Sequence, residues 1–339
     1  MRFGIIGCGR IARNHVSALR AVAGVEVTAV ADVDGQRARA FAAEHGVPDA
    51  FEAVDDMFAG GLEAVSICTP HGAHEAGVLA AARHRVHVLC EKPVALDVAQ
   101  AGRMVAAAEA AGVRFGVVFQ RRFWPAAQRI RAAIEDGSLG APVAGGIVAR
   151  LNRDADYYAE PWRGRQASEG GGVLMTQVIH HIDLLRWFMG PAVWVSGRCA
   201  TLVPRAGIDV EDTAGAVIGF RSGAIATVQA GTTFQPGLGV HVWVSDAQGR
   251  TAGVMEYPEG VGSADVWPRP GAEVGDLPLG AIHEHLVPYH ARQIADFVAA
   301  VREGREPAVT GRDAVRSLEI VEAVYESSRS GTAVRLAGH

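Results

Sequence analysis

Over roughly the first third of the chain, short continuous apolar runs alternate with longer stretches whose apolar residues recur at helical spacing. The short runs are Arg2 to Ile6, Val25 to Ala31, Ala64 to Cys68, Val86 to Cys90 and Arg114 to Phe119. The helical stretches run to Arg20 and then over 35–45, His74 to Arg83 and Asp97 to Ala111. Unbroken apolar runs mark strands buried on both faces, and their alternation with helices predicts a parallel, doubly wound α/β sheet. In such sheets ligands bind outside the carboxyl ends of the strands.

The rhythm changes in the second part. Phe123 to Asp136 predicts a helix, ended by Gly137-Ser138-Leu139-Gly140. Strand then follows strand, near 142–151, 192–201, 213–220, 223–231, 239–245 and 250–256, with Arg221-Ser222-Gly223 as a tight hairpin. Such a run predicts a mostly antiparallel sheet in a separate α+β domain, with an open face suited to pairing subunits as a homodimer or homotetramer. The Pro- and Gly-rich stretch 258–281 reads as an irregular loop, and helices near 286–303 and 311–329 close the chain. The expected division is 1–121 and 122–339.

The turn after the first strand sharpens this picture. Gly7-Cys8-Gly9-Arg10-Ile11-Ala12 has the G-x-G-x-x-A pattern, set between strand and helix as a dinucleotide fingerprint requires. Gly7 serves the tight turn, Gly9 lets the backbone approach a pyrophosphate, and Ala12 lets helix pack on strand. The second strand ends at Asp32, where a carboxylate binds ribose hydroxyls and repels a 2′-phosphate. The first domain is therefore expected to be a Rossmann domain that takes NAD, with NADP disfavoured. Arg37 and Arg39 read as a solvated helix face. The loops carrying Thr69-Pro70, Glu91-Lys92 and Gln120-Arg121 are expected on the same edge of the sheet.

Composition narrows the chemistry. Lys and Arg together number 32, yet Lys92 is the only lysine among them. Arginine cannot trade a proton near neutral pH, whereas a lysine can when burial or neighbouring cations lower its pKa. Lys92 follows an apolar run and precedes Pro93, so a chemical role is expected there. A net charge of −5 with scattered arginines argues against nucleic acid as a partner. No apolar run approaches the roughly 18 residues of a membrane span, and no targeting segment precedes the first strand. Cys8, Cys68, Cys90 and Cys199 lack disulfide or CxxC spacing and read as reduced thiols in a cytoplasmic protein. His71, His74, His84, His87 and Cys90 lack the spacing of a metal site, and no metal is expected.

A further candidate lies in the second domain. Gly170-Gly171-Gly172 leads into a helix in which Thr176 and His180, four residues apart, share a face. Val178, Ile179, Ile182 and Leu185 form its apolar stripe. His181 and Asp183 read as helix-surface or domain-contact residues.

With these motifs assembled, the chain resembles the Gfo/Idh/MocA family of oxidoreductases. The resemblance rests on the glycine fingerprint, Thr69-Pro70 with His74, Glu91-Lys92-Pro93, Gln120-Arg121-Arg122-Phe123, the Gly170 to Leu185 helix and the Thr310-Gly311-Arg312-Asp313-Ala314 helix start. It implies a Rossmann domain followed by an open-sheet domain that carries substrate. It implies that Lys92 and His180 flank the reacting carbinol. Cofactor contacts are expected from Gly7, Gly9, Arg10, Ile11, Asp32, Thr69, Pro70, His74, Glu91, Lys92 and Gln120. Substrate contacts are expected from Arg121, Trp162, Arg163, Thr176, Gln177 and His180, with Pro161-Trp162-Arg163 resembling sugar-acting members. The chain departs from the family at Thr176, where many members have aspartate.

The expected activity is hydride transfer between nicotinamide and a secondary alcohol or ketone of a cyclic sugar or polyol. Lys92 or His180 would take the alcohol proton, with Arg121 or Arg122 lowering the lysine pKa and Glu91 bound to backbone. Two rival activities are an NAD-binding sensor without turnover, which Thr176 favours and Lys92 opposes, and a redox step that opens a sugar elimination or glycoside cleavage.

Overall fold

The computed structural model describes residues 1–203, 207–257, 263–266 and 282–337. They form two compact units, Met1–Gln120 with His283–Val315, and Arg121–Ile282 with Arg316–His339.

The first unit opens with β1 (Arg2–Ile6), α1 (Arg10–Arg20), β2 (Glu26–Ala31), α2 (Gly35–His45), β3 (Asp49–Phe51) and α3 (Val54–Phe58). It continues through β4 (Ala64–Ile67), α4 (His74–Arg83), β5 (His87–Cys90), α5 (Val98–Ala111) and β6 (Phe115–Val117). The strands form one sheet in the order β3-β2-β1-β4-β5-β6, and every pairing is parallel. The order reverses between β1 and β4, the switch point at which doubly wound sheets bind ligands. Helices cover both faces, which is why β4 is buried along its whole length. Asp34 and Asp97 begin α2 and α5 by accepting first-turn backbone N–H groups. The short β3 and α3 were not anticipated: neither is long enough to establish a period.

The second unit contains α6 (Pro125–Glu135), β7 (Pro142–Arg150), the one-turn α7 (Gln166–Glu169), a π-helical turn over Val173–Val178 and α8 (Ile179–Met189). Then come β8 (Ala192–Ala200), β9 (Thr213–Phe220), β10 (Ile225–Gly231), β11 (Gly239–Asp246), β12 (Thr251–Glu256) and β13 (Ser263–Val266). The chain ends with α9 (Ile282–Glu303), α10 (Gly311–Ser330) and β14 (Val334–Arg335). Eight strands form a second sheet in the order β13-β12-β11-β7-β10-β9-β8-β14. All its pairings are antiparallel except β7 with β10. Of the expected loop 258–281, residues 263–266 are strand and the rest lies outside the described residues.

Alternation along these strands gives the second sheet an inner and an outer face. Ala214, Ala216, Ile218, Ala226, Val228, Val240, Val242 and Val244 point inward and are buried. On the outer face the Trp194 and Trp243 rings lie across Gly219 and Gly146, where any Cβ would strike them. Val217 and Ile225 share that face and are 36% and 49% exposed.

The units divide differently from the expected cut after residue 121, because residues 283–315 belong with the first. Ile294, Phe297 and Val298 of α9 join Phe3, Ile5, Leu19 and Leu89 in one buried cluster, and Phe297 meets Phe3 edge-on at 6.4 Å. Gln293 donates to the Val117 carbonyl at 2.7 Å, fastening α9 to the end of β6.

Candidate functional site

The glycine turn leaves β1 at Gly7, whose φ of +91° is unfavourable for a residue with a Cβ. A Cβ there would also lie 2.8 Å from the Thr69 amide nitrogen. Gly7 thus brings the turns after β1 and β4 into contact. At Gly9 a Cβ would meet no protein atom within 4 Å. The space in front of α1 is open, and no side chain caps that helix. An exposed helix N-terminus with backbone free to approach is what a pyrophosphate needs. Arg10 is exposed and Ile11 half-buried on the first turn.

Asp32 stands at the end of β2 and is 7% exposed. One carboxylate oxygen accepts the Cys8 N–H at 2.8 Å and the other the Asp34 N–H at 2.9 Å. Each oxygen keeps a lone pair for a further donor such as a ribose hydroxyl. Arg37 lies 3.6 Å from Asp32 and 3.5 Å from Asp34, so it is attached to the acidic corner rather than to solvent alone. Burial, aided by Asp32, pushes the Cys8 thiol up to about 12, so it stays protonated.

Two buried polar atoms at strand ends on this edge of the sheet lack hydrogen-bond partners among the described residues. They are Thr69 Oγ1 after β4 and Gln120 Oε1 after β6. An unmade bond of this kind costs about 1–3 kcal/mol. A polar ligand along this edge would satisfy both, so the first unit fits a dinucleotide. Pro70 is exposed beside Thr69.

His74 has another place. It is fully buried, with Nε2 at 2.9 Å from the Thr69 carbonyl and Nδ1 at 3.0 Å from that of Pro93. Its ring ties together the turns after β4 and β5, and both nitrogens are occupied by protein. Burial lowers its pKa against these carbonyls. The His74 side chain thus acts as a clamp on two loops.

The Glu91-Lys92-Pro93 turn is held from inside. Glu91 is 7% exposed and its Oε2 accepts the Lys92 backbone N–H at 3.1 Å. Its Oε1 bonds to His15 Nε2 at 2.8 Å and lies 3.5 Å from His290 Nε2. His15 Nδ1 in turn meets Ser66 Oγ at 2.6 Å. Burial alone would raise the Glu91 carboxyl, but the two imidazoles hold it well below the usual carboxylate range. Burial lowers the His15 pKa despite Glu91. The three donor atoms of His15, Glu91 and His290 lie within 4.8 Å of one another. The 2.8 Å contact is an ordinary charge-assisted hydrogen bond, which accounts for the cluster without an ion. The Glu91 carboxylate thus points into the unit, and the expected backbone contact is present. Lys92 itself is half-buried.

In the second unit, Gly171 and Gly172 are required by close packing. A Cβ at Gly171 would strike the Tyr325 hydroxyl, and one at Gly172 the Glu211 backbone. Glu211 caps the following turn, accepting the Gly172 N–H at 2.6 Å, the Leu174 N–H at 3.0 Å and the Tyr325 hydroxyl at 2.9 Å. Burial raises its pKa, and these bonds oppose the rise. Sequence reading passed over Glu211, which lies 39 residues from Gly172.

The helix after the glycines starts as a π turn, so the uniform four-residue spacing assumed for Thr176 and His180 does not hold. The Thr176 hydroxyl donates to the Gly172 carbonyl at 2.8 Å. Gln177 is fixed between Arg153, which donates to its Oε1 at 2.8 Å, and Tyr157 Oη, to which its Nε2 donates at 2.6 Å. His180 begins the regular part and is 4% exposed. The predicted stripe of Val178, Ile179, Ile182 and Leu185 is buried.

His181 and Asp183, read from sequence as helix-surface or domain-contact residues, are buried in two ion networks. Asp183 accepts both ends of the Arg122 guanidinium at 2.6 Å, and the Ser317 hydroxyl at 3.1 Å. Glu256 accepts His181 Nε2 at 2.8 Å and takes Arg121 in a bidentate pair at 2.8 and 3.1 Å. Arg121 and Arg122 are thus neutralised by carboxylates of their own unit.

Trp162 is half-buried, and its carbonyl accepts the Ser168 hydroxyl. Arg163 stacks on it, with Cζ 4.5 Å from the ring centroid. None of the helices among the described residues is long and apolar enough to cross a membrane.

Residues 1–119 match a family described as "Oxidoreductase family, NAD-binding Rossmann fold". Residues 127–250 match the "GFO/IDH/MocA C-terminal domain", and 282–336 the "Oxidoreductase family, C-terminal alpha/beta domain". A D-apiose dehydrogenase of Paraburkholderia graminis is 32% identical, over 98% of this chain and 88% of its own length. A myo-inositol 2-dehydrogenase of Thermotoga maritima is 29% identical, over 99% of this chain and 98% of its own. Among solved structures, the WlbA dehydrogenase from Bordetella pertussis in complex with NADH and UDP-GlcNAcA has a TM-score of 0.82 at 30% identity, covering 99% of this chain and 98% of that one. The chain belongs to the Gfo/Idh/MocA family of NAD-binding oxidoreductases.

Proposed function

We propose that the protein moves a hydride between NAD and a secondary alcohol, or the matching ketone, of a cyclic sugar or polyol. The reading is supported by relatives that act on apiose and inositol. The observation that carries it is the anchoring of the turn at Lys92, whose backbone is fixed by Glu91 and, through Pro93, by His74. A chain with one lysine has fastened that lysine at the carboxyl end of a strand beside the dinucleotide turn.

NAD, when bound, supplies the hydride acceptor. Gly7, Gly9, Arg10 and Ile11 would receive its phosphates through backbone, Asp32 its ribose, and Thr69, Pro70 and Gln120 the remainder along the same edge. As the C–H bond of the carbinol gives up its electron pair, the hydroxyl proton leaves for Lys92 or His180. Such a base contributes typically about 10² to 10⁴-fold. Thr176 supplies no negative charge, since a threonine hydroxyl does not ionise near neutral pH, and its hydroxyl donates to the helix backbone. Trp162, Arg163 and Gln177 would bind the ring.

The outer face of the second sheet, with Trp194, Val217, Ile225 and Trp243, is assigned to pairing with a second copy. The free cysteines favour a cytoplasmic setting. Absorbance of NADH during a screen of cyclic polyols and sugars tests the activity. NAD binding without reduction by any alcohol would remove it. Light scattering of wild type and Ile225→Asp tests the pairing, with a monomer expected only for the variant.

A further inference from the structure

The π turn over Val173–Val178 bonds i to i+5 in place of i to i+4, a rare geometry that concentrates at functional sites. Much of its support comes from one residue outside it. The N–H groups of Gly172, Val173 and Leu174, three in a row, all end on Glu211. The carboxylate takes the outer two at 2.6 and 3.0 Å, and the Glu211 backbone carbonyl takes the middle one at 3.0 Å. Tyr325 Oη donates to the same carboxylate at 2.9 Å. A helix start leaves such donors without partners of its own, and the aligned peptide dipoles favour an anion there.

The glycines make this contact possible, because a Cβ at Gly172 would strike the Glu211 backbone and one at Gly171 the Tyr325 hydroxyl. Glu211 stands just before β9 and Tyr325 lies on α10, so residues remote in sequence fix the turn.

The turn carries the residues assigned above to the substrate. The Thr176 N–H and hydroxyl both donate to the Gly172 carbonyl, at 2.9 and 2.8 Å. Gly172 is thus held by Glu211 at its N–H and by Thr176 at its carbonyl. Gln177 follows, and His180 is the second residue of α8. Relaxation of the π turn to regular spacing would rotate Thr176 and Gln177 relative to His180 by about 100°, the step of one residue in an α-helix.

We propose that Glu211, supported by Tyr325, is a positioning residue for the reaction. It holds the π turn, and through the turn it sets the register of Thr176 and Gln177 against His180. This rests on the sugar or polyol reading above and adds to it a residue that acts through the backbone alone.

Three variants test the assignment. Glu211→Gln keeps the volume but turns one acceptor into an NH2 group facing a backbone N–H. Glu211→Asp keeps the charge, and Tyr325→Phe removes only the hydroxyl. Each is assayed with NAD and myo-inositol, D-apiose or D-xylose, and titrated with NADH. Glu211→Gln is expected to lower kcat by about 10- to 100-fold, as loss of a charge-assisted bond implies, with NADH affinity unchanged. Tyr325→Phe is expected to lower kcat by about 2- to 10-fold, and Glu211→Asp to recover part of the loss seen in Glu211→Gln. Melting curves set the assay temperature below every transition, so that a loss of fold does not pass for a loss of rate. A wild-type kcat in folded Glu211→Gln, or a loss that lies in NADH affinity, overturns the proposal. If Glu211→Gln does not fold, Tyr325→Phe decides by the same two measurements. If the wild type oxidises none of the three sugars and polyols, crystal structures of the variants decide the positioning claim apart from the dehydrogenase reading. A π turn relaxed to α spacing sustains it, and an unchanged turn overturns it.

Discussion

The Glu91 carboxylate accepts the backbone N–H of Lys92, its own neighbour, at 3.1 Å, while its other oxygen is held by His15. An acid beside a candidate base would raise the base's pKa if it faced the amine. Here its acceptors are spent on the peptide and on imidazole, so Glu91 acts on Lys92 through geometry. Lys92→Arg keeps the charge and removes the titration. It is expected to lower kcat by about 10² to 10⁴-fold, with NAD affinity retained. A normal rate with an unchanged pH profile would dismiss Lys92 as base. Glu91→Gln keeps the shape but weakens two charge-assisted bonds. It should lower kcat more than it raises KM and leave the pH profile of the residual activity in place.

Thr69 carries a buried hydroxyl without a partner in the protein, so its removal separates binding from stability. Thr69→Val is expected to weaken NAD binding by about 2- to 12-fold, the worth of one hydrogen bond. The same variant should melt no lower than wild type without NAD, because an unsatisfied group has been taken away. Isothermal titration and thermal melts check the two halves; unchanged affinity would exclude the hydroxyl as a cofactor contact.

Asp32 sets the choice between the two dinucleotides. Asp32→Ser removes the repulsion of a 2′-phosphate and frees Arg37, now 3.6 Å from the carboxylate, to meet it. The ratio of kcat/KM for NADP over NAD should rise by at least about tenfold, equivalent to 1.4 kcal/mol. A ratio that does not move would show that specificity lies elsewhere.

The Arg122–Asp183 pair is 4% and 0% exposed. Removing one member leaves the other charge buried and alone. Asp183→Ala is expected to cost about 3–5 kcal/mol of stability. Urea unfolding followed by tryptophan fluorescence measures this, and a loss below about 1 kcal/mol would mean that water reaches the pair.

Glu256 gives the second unit an acid limit. Burial would raise its carboxyl, but Arg121 and His181 override that and hold it well below the ordinary value of 4.5. A carboxyl lowered in the fold contributes stability above its unfolded pKa, and that contribution fades as pH falls below it. The melting temperature should therefore drop as pH goes from about 5 toward 3, and less steeply in Glu256→Gln. Parallel wild-type and variant curves would place the acid limit in other groups.

What the sequence revealed follows from range. The boundaries of α2 and α4 agree with the hydrophobic period, and Asp32 and the glycine turn could be placed because each strand end is local information. The charge networks were invisible. Arg122 and Asp183 are 61 residues apart, His15 and Glu91 76, Arg121 and Glu256 135. No spacing rule connects them, and each partner taken alone looks like a surface residue. The π turn was missed because one wider turn changes no residue type. The ring contacts of His74 to the Thr69 and Pro93 carbonyls were likewise not legible, because they join two loops 19 residues apart at their wider span.

The return of α9 to the first unit bears on how the chain is made. During synthesis β1 to β6 emerge first, yet Phe3 and Leu89 lack Phe297 and Val298 until nearly the whole polypeptide has left the ribosome. The dinucleotide unit stays incomplete while residues 121–282, which belong to the second unit, are synthesised. A nascent chain stopped near residue 121 would present a bare apolar patch to chaperones and proteases, and its maturation belongs to the last moments of translation rather than the first.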